Sequence, residues 1–188
     1  MNIQPLQPFT DVLAIRLPVF ADERGSFREV FHQQKLREAG IALDIVQLNH
    51  SRSRRAVLRG LHFQHPHGQG KLIAATSGAV FDVAVDVRIG SPTFGRWGSQ
   101  TLTADGGEQL YVPPGFAHGF LVLSDFADIV YGCTTPYRPE SERVLAWDDT
   151  EVAVAWPIEH APIVAARDRQ GASLSAFRLA GVLPHFAP

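Results

Sequence analysis

Short runs in which apolar and polar residues alternate recur along the chain: Val12 to Leu17, Ile45 to Asn49, Leu72 to Thr76, Ala79 to Val87, Gln109 to Val112, Gly119 to Leu123 and Ala127 to Thr134. A period of two is the pattern of a strand with one covered face. Turn residues separate the runs at Ser77-Gly78, Gly90-Ser91-Pro92, Asp105-Gly106-Gly107, Pro113-Pro114-Gly115 and Pro136. Strands and turns at such regular spacing predict an all-β sandwich or barrel. One helix is predicted before the C-terminal tail, over Phe31 to Ala39 and closed by Gly40. There is no internal repeat, low-complexity segment or long linker, so residues 1–188 are read as one domain.

The run from Ala79 to Arg88 alternates most clearly. Phe81, Val83, Val85 and Val87 share one face, while Asp82, Ala84, Asp86 and Arg88 share the other. The apolar face is assigned to the core. The polar face is read first as solvent-exposed sheet, with the lining of a cavity mouth as the second reading.

Composition narrows the class. At 188 residues, 45% hydrophobic and with a net charge of −2, the chain is long enough for a full core and carries no bulk charge that would point to nucleic acid. An anionic ligand would have to be held by a local set of cations, and Arg52, Arg54, Arg55 and Arg59 supply one. No apolar run reaches membrane-spanning length and the N-terminus lacks a signal-peptide pattern, so a cytoplasmic location is expected. The single cysteine, Cys133, lies in an alternating run, is read as a buried inert thiol, and fits a reducing compartment.

Chemistry concentrates in two stretches, Val57 to Lys71 (VLRGLHFQHPHGQGK) and Pro113 to His118 (PPGFAH). Burying Arg59, His62 and Lys71 without partners would cost several kcal/mol each, roughly, so their place in strand-like sequence marks a polar site. Alternation puts His62 and Gln64 on one face and Leu61 and Phe63 on the other, which lets His62 project inward. A histidine base, a carboxylate to orient it, the phenol of Tyr131 and nearby cations together suit proton abstraction and return beside a carbonyl. Tyr137, after a proline, reads on its own as a loop anchor. Gly68-Gln69-Gly70-Lys71 lacks the length and the Ser or Thr of a phosphate-binding P-loop.

These residues carry a resemblance. Asp22 to Glu29, Gln47 to Ser51, Val57 to Gln64, Asp82 to Arg88, Ser91 to Gly95, Pro114 to Phe120 and Trp147 to Asp149 occur in the order that marks the dTDP-4-dehydrorhamnose 3,5-epimerase family of the cupin superfamily, and the likeness spans nearly the whole chain. The resemblance implies a jelly-roll β-sandwich with short peripheral helices, a homodimer, no metal or other cofactor, and epimerisation of a nucleotide-linked 4-keto-6-deoxy sugar at C3 and C5. It further implies His62 as general base, Asp168 as its paired carboxylate, Tyr131 as acid, and Lys71 and Arg59 facing the sugar and its oxyanion with His118 nearby. Arg24, Glu29, Gln47, Asn49, Glu142 and Arg167 would hold the nucleotide diphosphate, and Tyr137 would stack on the base. Asp82 and Asp86 stand as substitutes for Asp168. Position 167 is Arg where many members carry Lys, which keeps the charge and changes the hydrogen-bonding geometry.

Three other readings compete. A mono-epimerase would use the same residues on one carbon. His65-Pro66-His67 and the Pro113 to His118 loop are similar to cupin metal motifs, which gives a metal-dependent cupin oxygenase through His62, His65 or His67, and His118. Lys71 occupies the place where a metal-binding cupin wants a carboxylate, and it would repel a divalent ion. A sugar-nucleotide-binding cupin without catalysis would need no acid and base, which His62, Asp168 and Tyr131 together supply.

Overall fold

The computed structural model describes residues 1–187. In chain order the first strands are β1 (Asn2–Pro5), β2 (Leu13–Arg16), β3 (Phe20–Asp22), β4 (Gly25–Phe27), β5 (Gln47–Arg54), β6 (Val57–Gln64) and β7 (Lys71–Ser77). They are followed by β8 (Ala79–Asp86), β9 (Trp97–Thr103), β10 (Glu108–Val112), β11 (Phe116–Val122), β12 (Phe126–Cys133), β13 (Glu142–Val144) and β14 (Ile163–Val164). Helices α1 (Gln33–Glu38), α2 (Ala166–Arg169) and α3 (Leu174–Ala180) are short and peripheral.

One sheet runs β1-β2-β10-β7-β12-β5 and the other β13-β6-β11-β8-β9, with β14 pairing β6; β3 and β4 form a separate hairpin. All pairings are antiparallel except β14 with β6. From β5 to β8 and again from β9 to β13 successive strands alternate between the two sheets, which pack face to face as a jelly-roll sandwich. The all-β reading of the sequence holds.

Between the sheets lies the main core, including Ile73 and Ala75 of β7, Val80 and Ala84 of β8, Leu110 of β10, Phe116 and Phe120 of β11, and Ile129 of β12. A second core covers the far side of the β6-β11-β8 sheet, where Leu61, Phe63, Val83, Val85 and Val87 meet Leu145, Val152, Leu174, Phe177 and Leu183 of the C-terminal segment. This layer overturns the first reading of the Ala79 to Arg88 run. Asp82 and Asp86 are fully buried. Val83 and Val85 face the C-terminal layer, and the aspartates share the face of Val80 and Ala84 inside the sandwich.

The predicted helix forms over Gln33–Glu38. His32 is extended (φ −147°, ψ 103°) and its ring accepts the Lys35 N–H, so it caps the helix and the helix starts after it. Gly40 takes φ +84°, the left-handed geometry expected just past a helix end. β9 was not predicted: it is an edge strand of polar character, in which only Gly98 and Leu102 are buried, so alternation is weak.

Candidate functional site

The sandwich interior changes character along its length, apolar at one end and polar at the other. On β6, Leu61 and Phe63 pack into the outer core, which turns His62 and Gln64 inward. His62 Nε2 lies 2.8 Å from Oδ1 of Asp168, which α2 carries in its first turn. A carboxylate only accepts, so Nε2 holds the proton and Nδ1 keeps the free lone pair. The second oxygen of Asp168 accepts the Gly60 N–H at 3.1 Å. Burial alone would raise the Asp168 carboxyl, but the hydrogen bond and charge of His62, the Gly60 N–H and the Arg167 charge outweigh it and hold the group below the usual carboxylate range.

From the opposite sheet come Lys71 and Tyr131. Lys71 stands at the start of β7 on the same face as Ile73 and Ala75; it is part-buried, and its ammonium makes one hydrogen bond, 3.5 Å to the His62 carbonyl. Desolvation pushes its pKa down, against the charges of Cys133, Asp82 and Glu142. Tyr131, half-buried against the main core, has its phenol pushed above its ordinary value, first by burial and then by Cys133; it therefore keeps its proton through neutral pH. Cys133 pairs with Lys71 in register and is fully buried, which raises its thiol.

On β5 the residues facing inward are Gln47, Asn49, Ser51 and Ser53, opposite Cys133, Tyr131, Ile129 and Ala127 of β12. Gln47 donates to Asn49 Oδ1 at 2.9 Å and accepts the Tyr137 N–H at 2.8 Å, while Asn49 reaches Cys133 Sγ at 3.5 Å. Arg59 donates from Nε to Ser53 Oγ at 2.9 Å. Ser53 was not singled out from the sequence: the alternating run read there ends at Asn49, whereas β5 continues to Arg54. At the rim, Glu142 of β13 accepts from Tyr137 at 2.8 Å and from Arg167 at 2.7 Å. The Glu142 hydrogen bond raises the Tyr137 phenol above its ordinary value.

His118 is also inward-facing, and its Nε2 lies 2.8 Å from Asp82 Oδ1. Asp82 and Asp86 are therefore not alternative partners of His62: Asp82 is taken by His118, and Asp86 binds Arg88, Ser91 and Thr93. Two sequence candidates fall outside the cluster in this chain. Arg24, at the β3–β4 turn, bonds Asp22, and Glu29 pairs with Lys35 at 2.8 Å; neither bonds any group above. Among the described residues, no three His, Cys, Asp or Glu side chains gather as a metal set, and His65 and His67 do not join His62 and His118.

Comparison with known proteins identifies the family. A family model described as dTDP-4-dehydrorhamnose 3,5-epimerase matches residues 7–176. The chain is 50% identical over 162 residues to the dTDP-4-dehydrorhamnose 3,5-epimerase of Pseudomonas aeruginosa, covering 86% of this chain and 90% of that one. It is 48% identical to the Escherichia coli protein of the same description, covering 85% and 88%. A crystal structure of the 3,5-epimerase of Legionella pneumophila in complex with dTDP-4-keto-L-rhamnose superposes with a TM-score of 0.95 at 41% identity, covering 100% of this chain and 99% of that one. A 3'-monoepimerase of Streptomyces bikiniensis in complex with dTDP-quinovose gives 0.91 at 35% identity, covering 97% and 92%.

Proposed function

Since the chain belongs to the dTDP-4-dehydrorhamnose 3,5-epimerase family, we propose that the polar end of its sandwich is the active site and that His62, Asp168, Tyr131 and Lys71 carry the reaction. The protein is an isomerase that epimerises a dTDP-linked 4-keto-6-deoxy sugar at C3 and C5. The observation that carries the site assignment is the 2.8 Å His62–Asp168 couple opening onto the same interior as Tyr131 and Lys71.

The C4 ketone acidifies the hydrogens on C3 and C5. His62 Nδ1 takes one, with the imidazolium stabilised by Asp168, and the electron pair moves into an enolate. Lys71 and Arg59 face the oxyanion. Tyr131 returns a proton to the other face of the carbon, inverting it. General acid–base catalysis supplies roughly 10²–10⁴-fold, and a cation at the oxyanion about 3 kcal/mol more. Gln47, Asn49, Glu142 and Arg167 line the path outward, where the diphosphate lies, and Tyr137 stacks on the base.

In this reading the working unit is a homodimer. Phe20 and Phe27, 62% and 69% exposed, sit on the β3–β4 hairpin that carries Arg24, and the described residues leave them largely uncovered. A second copy would cover that hairpin and bring Arg24 and Glu29 to the nucleotide. Sedimentation velocity reads this directly, and a monomer at every concentration removes it.

Proton NMR of dTDP-4-keto-6-deoxyglucose with the protein in D₂O tests the reaction. Deuterium at C3 and C5 with both centres inverted is expected. Inversion at C3 alone would make the chain a mono-epimerase like the Streptomyces protein, and no exchange at either carbon would overturn the assignment.

A further inference from the structure

An ammonium turned into the sandwich needs a counter-charge, and the hydrogen bonds of the part-buried Lys71 do not supply one: its single bond is the long contact to the neutral His62 carbonyl. The titratable and charged groups of the same interior come from six elements. β12 brings Cys133 and Tyr131, both pushed toward their neutral forms by burial. β6 brings His62, and α2 brings Asp168 and Arg167, of which the carboxylate is engaged by His62 and Gly60. β13 brings Glu142, held at the rim by Tyr137 and Arg167. β11 brings His118 and β8 brings Asp82.

Of these carboxylates, Asp82 is the one with a buried oxygen left unpartnered; Glu142 lies at the rim, where Tyr137 and Arg167 both bond its Oε2. Asp82 is fully buried, His118 uses Oδ1, and Oδ2 has no hydrogen-bond partner. A buried oxygen without a partner is costly, more so when charged, so its place inside the sandwich calls for a compensating charge. Lys71 is the lysine inside the sandwich; the chain has only one other, Lys35, on α1.

We propose that Asp82 is the counter-ion of Lys71: clamped by His118 from the adjacent strand, its carboxylate keeps the Lys71 ammonium protonated inside the sandwich, where the ammonium is needed at the sugar oxyanion. Asp82 is thus a positioning residue, acting on the reaction through Lys71. His118 has a second task in this arrangement, since its N–H fixes the carboxylate. Only the role of Lys71 at the oxyanion rests on the epimerase reading; the pairing itself does not.

The two-lysine composition makes the test direct. In protein labelled with ¹³C at lysine Cε, two side-chain signals are expected, and Lys35→Arg assigns them. Titration followed by NMR should show Lys71 still protonated at neutral pH. Asp82→Asn keeps an oxygen to accept from His118 and removes the charge, and it should lower the Lys71 midpoint by about one pH unit or more; Asp82→Glu should restore most of it. In turnover, Asp82→Asn should reduce kcat more than KM and move the alkaline fall of kcat to lower pH. An unmoved Lys71 midpoint in Asp82→Asn overturns the proposal, as does a wild-type midpoint below neutrality, which is readable even where the variant does not fold. The titration uses no substrate, so a failed epimerase assignment appears only in the D₂O experiment.

Discussion

The polar end of the sandwich holds two histidine–carboxylate couples of equal length, His62–Asp168 and His118–Asp82, each 2.8 Å between Nε2 and Oδ1. Their surroundings differ. The His62 side chain is 22% exposed and that of His118 8%, so one ring meets the cavity opening and the other is enclosed. Asp168 has both oxygens satisfied, by His62 and the Gly60 N–H, with Arg167 nearby at 3.4 Å; Asp82 keeps one oxygen free in the interior. Pair geometry alone does not make a base. The proposed base needs a ring open to the cavity and a carboxylate already committed to the resulting cation, and the first couple has both.

The largest expected effect separates the two rings. His62→Asn should lower kcat by at least the roughly 10²–10⁴-fold that a general base contributes, with the fold intact by circular dichroism. His118→Asn should cost about tenfold, because it loosens Asp82 and leaves the proton-transfer groups in place. Equal losses in steady-state assays would erase the distinction between the couples.

Tyr131→Phe sharpens the same contrast from the acid side. With the base intact and the donor gone, deuterium should still enter C3 or C5 at a reduced rate while inversion falls by roughly 10²-fold or more. Product couplings in D₂O distinguish the two events, and unchanged stereochemistry at a wild-type rate would remove Tyr131 from the acid role.

Much of this architecture is legible in the sequence. Strand alternation and Gly/Pro turns predict the all-β class, because jelly-roll strands cover one face each and must turn often. The same alternation turns His62 and Gln64 away from Leu61 and Phe63. The limit lies in the Ala79 to Arg88 run: alternation separates two faces but not which of them meets solvent, and a C-terminal segment some sixty residues downstream, through Leu145, Val152 and Leu174, decides it. Asp168 illustrates a second limit. It sits more than a hundred residues from His62, and no local pattern in Ala166 to Arg169 links the two, so the pairing entered through family resemblance alone. The hydrogen-bond partner of Asp82 had no sequence signal, since Asp82 and Asp86 look alike until the register of β8 against β11 is known.

The smallest expected effect is on stability, and its sign separates the committed carboxylate from an ordinary one. The folded-state pKa of Asp168 lies below its unfolded value. Its contribution is therefore fully present above the unfolded carboxylate pKa, where both states are ionised, and is lost as pH falls through the lower folded value. Asp168→Asn removes the charge that His62, Gly60 and Arg167 stabilise, and should destabilise the protein at neutral pH by about 1.5–3 kcal/mol, the range for hydrogen bonds to charged groups. Urea unfolding at neutral pH and at successively lower pH checks this. The gap between wild type and variant should close as the medium becomes acidic, because protonation of the wild-type carboxyl abolishes the same interaction. A gap that stays constant into acid would mean that Asp168 contributes through packing alone, and the His62 couple would then lack the committed anion that distinguishes it from His118–Asp82.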